Sequence, residues 1–124
     1  MVTSMRTLAV ALAAVAVLVP AQALAHAQLV RAEPRVGSAV PIPPARLWLK
    51  FTEVPRLAAS GVQLTFPDGR AKVLQPLTQD PKDVRAVNAP LPPLGPGRYR
   101  VLWKVLSPDG HRTQGGFAFT VGGR

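Results

Sequence analysis

Two histidines, one carboxylate and one latent amine are the groups in this chain best suited to hold a metal ion. His26 lies in "ALAHAQ" (residues 23–28) and His111 in "SPDGHR" (residues 107–112), and the sequence has no other histidine. Ala23-Leu24-Ala25 has the small-x-small form of a signal-peptidase site. Cleavage after Ala25 makes His26 the first residue, with a free α-amine beside its imidazole. Reference pKa values of ~7.7–8.0 for the amine and ~6.5 for the ring let both lose protons near neutral pH. Together they close a small chelate ring on one ion; inside a longer chain the same histidine offers only its ring. Asp109 and His111 flank Gly110, and glycine permits a bend sharp enough to aim a carboxylate and an imidazole at one point. Two imidazoles, one amine and one carboxylate form an N,O set suited to tetragonal Cu(II), which heads the divalent affinity order. Ni(II) is the nearer competitor on geometry, whereas Zn(II) favours tetrahedral sites that are often thiolate. Each motif alone is weak. An Asp-Gly-His turn is common in hairpins, a histidine after it is often only exposed, and a terminal histidine can be an accident of cleavage.

The elements that must position these groups begin after a leader. Arg6 precedes a 12-residue run from Leu8 to Val19 built only of Leu, Ala and Val, and Pro20 ends it. A basic start, a short apolar core and an A-x-A end read as a secretory signal over residues 1–25. The core is shorter than the roughly 20 apolar residues a membrane-spanning helix takes, which argues against the alternative of an N-terminal anchor. Two other cuts stay open: Ala21-Gln22-Ala23 and Ala25-His26-Ala27 are also A-x-A, and the second discards His26. Residues 26–124 are then one exported, soluble domain.

That domain has no cysteine, so no disulfide supports it, and both methionines, Met1 and Met5, fall in the leader. Soft-ligand sites for Cu(I) are therefore excluded. Removing Arg6 from the net charge of +9 leaves +8. Such a charge fits a nucleic-acid or anionic-membrane binder. The basic residues are spread singly, however, without the runs or interleaved aromatics of a single-strand-binding surface, and nucleic acid is not expected as a partner.

Fourteen prolines and ten glycines oppose long helices. Short alternating runs remain. "RLWLKFTE" puts Leu47, Leu49 and Phe51 on one face; "GVQLTFP" puts Val62, Leu64 and Phe66 on one face, followed by the Asp-Gly turn of Pro67–Arg70. "AKVLQPLT" reads as the returning edge strand, weakened by Pro76. "GRYRVLWKVLS" sets Tyr99, Val101, Trp103 and Val105 against Arg100, Leu102, Lys104 and Leu106, and "GGFAFTV" alternates Phe117, Phe119 and Val121 with Ala118 and Thr120. Trp103, Tyr99, Phe51, Phe117 and Phe119 read as core. The proline-rich "VPIPPAR" and "APLPPLGPGR" read as loops or edge segments. The pattern predicts an all-β sandwich with no second domain.

In their order, "AHAQLVRAEPRVGSAV", "LWLKFTEVP", "GVQLTFPDG" and "GRYRVLWKVLSPDGHRTQGGFAFTV" resemble the CopC family of periplasmic copper-resistance proteins over the whole domain of residues 26–124. The resemblance implies a small Greek-key β-sandwich, immunoglobulin-like or cupredoxin-like. It implies one Cu(II) per chain, held by the N-terminal histidine through amine and ring and by the Asp and His of the D-G-H motif: His26, Asp109 and His111. The glutamate of the family's F-[ST]-E motif falls at Glu53, where it supports the terminal amine or an imidazole beside the metal. Two features depart from parts of the family. A methionine-rich Cu(I) site is not expected, and a CopD-like inner-membrane copper transporter would be a separate partner, since the chain ends at Arg124.

The function so implied is that of a monomeric, periplasmic copper-binding protein rather than an enzyme. It sequesters Cu(II) in copper resistance and homeostasis and hands it to a membrane transporter. Acid should release the metal, because amine and imidazoles must be deprotonated to bind. Two other readings stay open. A terminal histidine with a second histidine on copper also describes histidine-brace oxidases and oxygenases, although a hard carboxylate would fill a position such catalysis needs. The other is a metal-free immunoglobulin-like binding module.

Overall fold

A computed structural model describes residues 27–122. The leader assigned to residues 1–25 and the metal ligand assigned to His26 lie outside the described residues. Among the described residues, nine strands form two sheets: β1 (Leu29–Glu33), β2 (Ala39–Val40), β3 (Arg46–Phe51), β4 (Gly61–Thr65), β5 (Ala71–Val73), β6 (Thr78–Asp80), β7 (Asp83–Pro90), β8 (Gly97–Leu106) and β9 (Arg112–Val121). One sheet has the order β1-β3-β7-β6 and the other β2-β9-β8-β4-β5. All pairs are antiparallel except β2 with β9. This is the strand order of an immunoglobulin-like sandwich, with its first strand divided between the two sheets as β1 and β2.

In β3, β4, β8 and β9 the inward faces are those the alternation predicts, and β7 adds to them. Leu47, Leu49 and Phe51 of β3 and Val87 and Ala89 of β7 meet Val62 and Leu64 of β4, Tyr99, Val101, Trp103 and Val105 of β8, and Phe117, Phe119 and Val121 of β9 in one core. Phe51 and Trp103 join the sheets edge to face, with ring centroids 5.2 Å apart. Burying each such side chain contributes roughly 1.5–3 kcal/mol, and with no cysteine these contacts carry the stability. Gly115 stands opposite Trp103 in the β8–β9 ladder; a Cβ there would lie 2.6 Å from the indole Cζ2, so glycine makes room for the ring. The Tyr99 hydroxyl donates to the Gly95 carbonyl at 2.8 Å. This is the tyrosine corner of immunoglobulin-like sandwiches, and it ties the start of β8 to the chain that crosses from the other sheet.

Two details differ from the sequence reading. "AKVLQPLT" is not one returning strand: β5 ends at Val73, and Thr78 opens β6 in the opposite sheet, because Pro76 breaks the run between them. The start of "APLPPLGPGR" is not loop or edge: Ala89 and Pro90 close β7, an interior strand that pairs with β3 and β6. Proline is tolerated because it is the last residue of that strand.

Candidate metal site

The turn between β8 and β9, Ser107–His111, is built around a buried hydroxyl. Ser107 is fully buried. Its N–H donates to the His111 carbonyl at 2.9 Å, and the Gly110 N–H donates to the Ser107 carbonyl at 3.0 Å. Gly110 sits at φ +90°, the left-handed conformation the sequence asks of it. The Ser107 hydroxyl reaches both Asp109 Oδ1 and the His111 carbonyl, and the His111 N–H donates to Asp109 Oδ1 at 3.1 Å.

These bonds divide the Asp109 carboxylate. Oδ1 is taken up by the turn itself, while Oδ2 lies 3.1 Å from Nδ1 of the His111 ring. The Ser107 hydroxyl holds the Asp109 carboxyl well below the usual range, to about 2; desolvation opposes this, and the His111 backbone N–H and ring lower it further, each to a lesser degree. The carboxylate is thus anionic throughout the neutral range, and both side chains remain partly open to solvent. An anionic oxygen and a ring nitrogen at this separation can share a proton or lie beside one cation.

Other segments converge on the turn. Thr113, two residues beyond His111, donates its hydroxyl to the carbonyl of buried Ala27. Gln28 and Thr52 hold each other twice: the Gln28 N–H donates to Thr52 Oγ1, and the Thr52 N–H to the Gln28 carbonyl, both at 2.9 Å. Glu53 follows Thr52 directly past the end of β3 and is half-buried. The chain following His26 is therefore anchored between the end of β3 and the start of β9. From the β3–β4 connection, the Arg56 N–H donates to the Leu106 carbonyl at 2.9 Å, and Arg56 Nη2 to the Pro108 carbonyl at 3.2 Å. Ser60 Oγ accepts from the Leu106 N–H at 3.2 Å.

Of the residues assigned from sequence, Asp109 and His111 are brought together, Glu53 stands at the end of β3 beside the anchored segment, and His26 immediately precedes Ala27. Among the described residues, no group of three His, Cys, Asp or Glu side chains gathers at one point. Sequence reasoning assigned no role to Ser107, Thr113, Thr52 or Arg56. Ser107 carried a signal, since serine hydroxyls bond nearby backbone in turns, as here with the His111 carbonyl. The other three bond to backbone or side-chain atoms far away in sequence, and nothing local marks them.

A small immunoglobulin-ordered sandwich with an Asp–His turn at one end, and the start of its first strand pinned beside that turn, defines the class of protein. The chain belongs to the CopC family: the CopC domain matches residues 29–122. It is similar to Protein YobA of Escherichia coli strain K12, 33% identical over 123 residues that cover 98% of this chain and 99% of YobA. It is also similar to copper resistance protein C of Xanthomonas campestris pv. juglandis, 33% identical over 110 residues, covering 84% of this chain and 86% of that one. Among solved structures, CopC from Methylosinus trichosporium OB3b superposes with a TM-score of 0.69 at 30% identity, over 77% of this chain and 93% of that one. PcoC, a methionine-rich copper resistance protein from Escherichia coli, superposes with a TM-score of 0.67 at 30% identity, over 78% and 99%. This chain differs from a methionine-rich protein in having only Met1 and Met5. No helix among the described residues is long and apolar enough to cross a membrane.

Proposed function

We propose that this protein binds one Cu(II) ion through His26, Asp109 and His111, with Glu53 supporting the terminal amine or an imidazole. The observation that carries the reading is the Asp109 Oδ2–His111 Nδ1 separation of 3.1 Å, next to the point where Thr113 pins Ala27. An ionised carboxylate and an imidazole supply hard and borderline donors, and the cut after Ala25 adds an amine and a second imidazole; that donor set matches tetragonal Cu(II). The absence of methionine beyond Met5 leaves no thioether for Cu(I). Copper is cargo in this reading. The protein is exported to the periplasm as a monomer, holds Cu(II) for copper resistance and homeostasis without turning over a substrate, and passes it to a CopD-like membrane transporter.

Native mass spectrometry of protein exported from cells, with one equivalent of Cu(II) added, tests this directly. A chain beginning at His26 that retains one copper is the expected result, with copper lost in Asp109→Asn and His111→Ala. A chain beginning at Gln28, or one beginning at His26 that holds no copper, overturns it.

A further inference from the structure

The two sheets differ in charge in a way the sequence does not display. The strands of the four-stranded sheet contain Arg31, Arg46, Lys50 and Arg85 together with Glu33, Asp80 and Asp83. Two of those cations are paired, Arg31 with Glu33 at 3.3 Å and Lys50 with Asp83 at 2.8 Å. The strands of the five-stranded sheet contain cations and no acidic residue. Because Tyr99, Val101, Trp103 and Val105 face the core, β8 turns Arg98, Arg100 and Lys104 to solvent. Arg112, opposite Leu106 in the β8–β9 ladder, extends the row toward the Ser107–His111 turn. Among the described residues, Arg98, Arg100 and Lys104 have no ion pair. Between these cations lie two exposed aliphatic side chains. Leu102 is 44% and Val73 56% exposed, and both are register partners of Gln63.

We infer that this face is a docking surface for an anionic phospholipid bilayer. Its charge is of one sign and lacks the carboxylates that would fix register against a patterned protein partner, so it complements a surface that is negative throughout. The sheet face is broad, long arginine and lysine side chains reach headgroup phosphates from it, and the exposed Leu102 and Val73 supply short aliphatic groups for the interfacial layer. Docked this way, the row of cations holds the Asp109–His111 turn at the rim of the contact, beside the membrane surface.

Vesicle sedimentation of the exported protein tests the inference, with phosphatidylglycerol–phosphatidylethanolamine vesicles against phosphatidylcholine vesicles. Binding to the anionic vesicles alone is expected, and it should collapse in high salt as exposed charges are screened. Each cation near an anionic surface tightens binding about five-fold, so R100Q/K104Q should lower the partition coefficient by about 25-fold. R46Q/R85Q removes the same net charge from the other sheet and should lower it no more than about three-fold. Circular dichroism shows whether both variants are folded; should R100Q/K104Q misfold, R98Q/R112Q takes its place. Equal losses in the two double variants, or no binding to anionic vesicles, overturn the inference. So does capture of an acidic protein by this face without vesicle binding.

Discussion

Thr113 Oγ1 bonds the carbonyl of Ala27 across 86 positions of sequence. The same contact joins the segment carrying one assigned ligand to the strand that begins just past another. Thr113 lies two residues after His111, and Ala27 one residue after His26. A metal that needs donors from both segments finds them already held in register, so less ordering is left to the binding step. Replacing Thr113 with valine removes the donor and keeps the shape. A net hydrogen bond is worth roughly 0.5–1.5 kcal/mol, so Cu(II) affinity, measured by competition with a chelator, should fall by up to about two- to thirteen-fold. The bond exists without the metal, so the melting temperature of the metal-free protein should also fall, by several degrees, while β1 from Leu29 onward keeps its pairing with β3.

Ser107 governs the other half of the site. Its hydroxyl supports Asp109 Oδ1 and so leaves Oδ2 turned toward the His111 ring. Ser107→Ala deletes that support without touching a proposed ligand. Losses of this kind, in groups that orient metal ligands, typically cost 10–100-fold in affinity. The expected result is a drop in that range, accompanied by altered Cu(II) hyperfine splitting in electron paramagnetic resonance. An unchanged spectrum with unchanged affinity would mean that Asp109 keeps its orientation through the His111 N–H alone.

How far the sequence could be read follows from the range of each interaction. Strands β3, β4, β8 and β9 were legible because each has one face in the core, and hydrophobic alternation records that directly. Strand β7 was not: Ala86 and Val87 are consecutive and both buried, which breaks the period of two, and Pro90 at its end reads as a loop signal. Strand β1 was equally opaque, with Val30 and Arg31 exposed and only Ala32 fully buried. Within the site, the Asp109–Gly110–His111 bend was legible because all of its determinants lie within five residues. The Thr113–Ala27 bond and the Arg56–Pro108 bond depend on the finished topology and leave no local trace.

The packing of Trp103 against Gly115 makes a prediction about the core. A methyl group at position 115 would stand 2.6 Å from Cζ2 and 2.9 Å from Cε2 of the indole, which is itself wedged against Phe51. Over-packing of this kind costs about 1–3 kcal/mol. Gly115→Ala should lower the free energy of unfolding by that amount and perturb the near-ultraviolet circular dichroism of Trp103. Gly69→Ala, where no heavy atom lies within 4 Å of the added Cβ, should leave the Trp103 signal unchanged.

Acid should weaken the metal-free fold over a defined window. Three carboxyls are held below their ordinary value in the folded protein: Asp68 by hydrogen bonds from Arg70, Asp83 chiefly by Lys50 and the Arg85 N–H, and Asp109, at about 2, chiefly by Ser107. A carboxyl with a depressed folded-state pKa binds protons more readily when the chain unfolds. Its stabilisation is therefore complete above the unfolded-state value near ~3.9 and is lost as pH falls through the folded-state value. The melting temperature should accordingly be flat with respect to these groups above about pH 5 and decline from about pH 4 to pH 2. In Ser107→Ala the Asp109 value should rise toward that of an ordinary aspartate, so the lower part of this decline becomes shallower. A thermal melt series across that window, run on wild type and Ser107→Ala, decides the point: superimposable slopes would show that the hydroxyl does not hold the carboxylate.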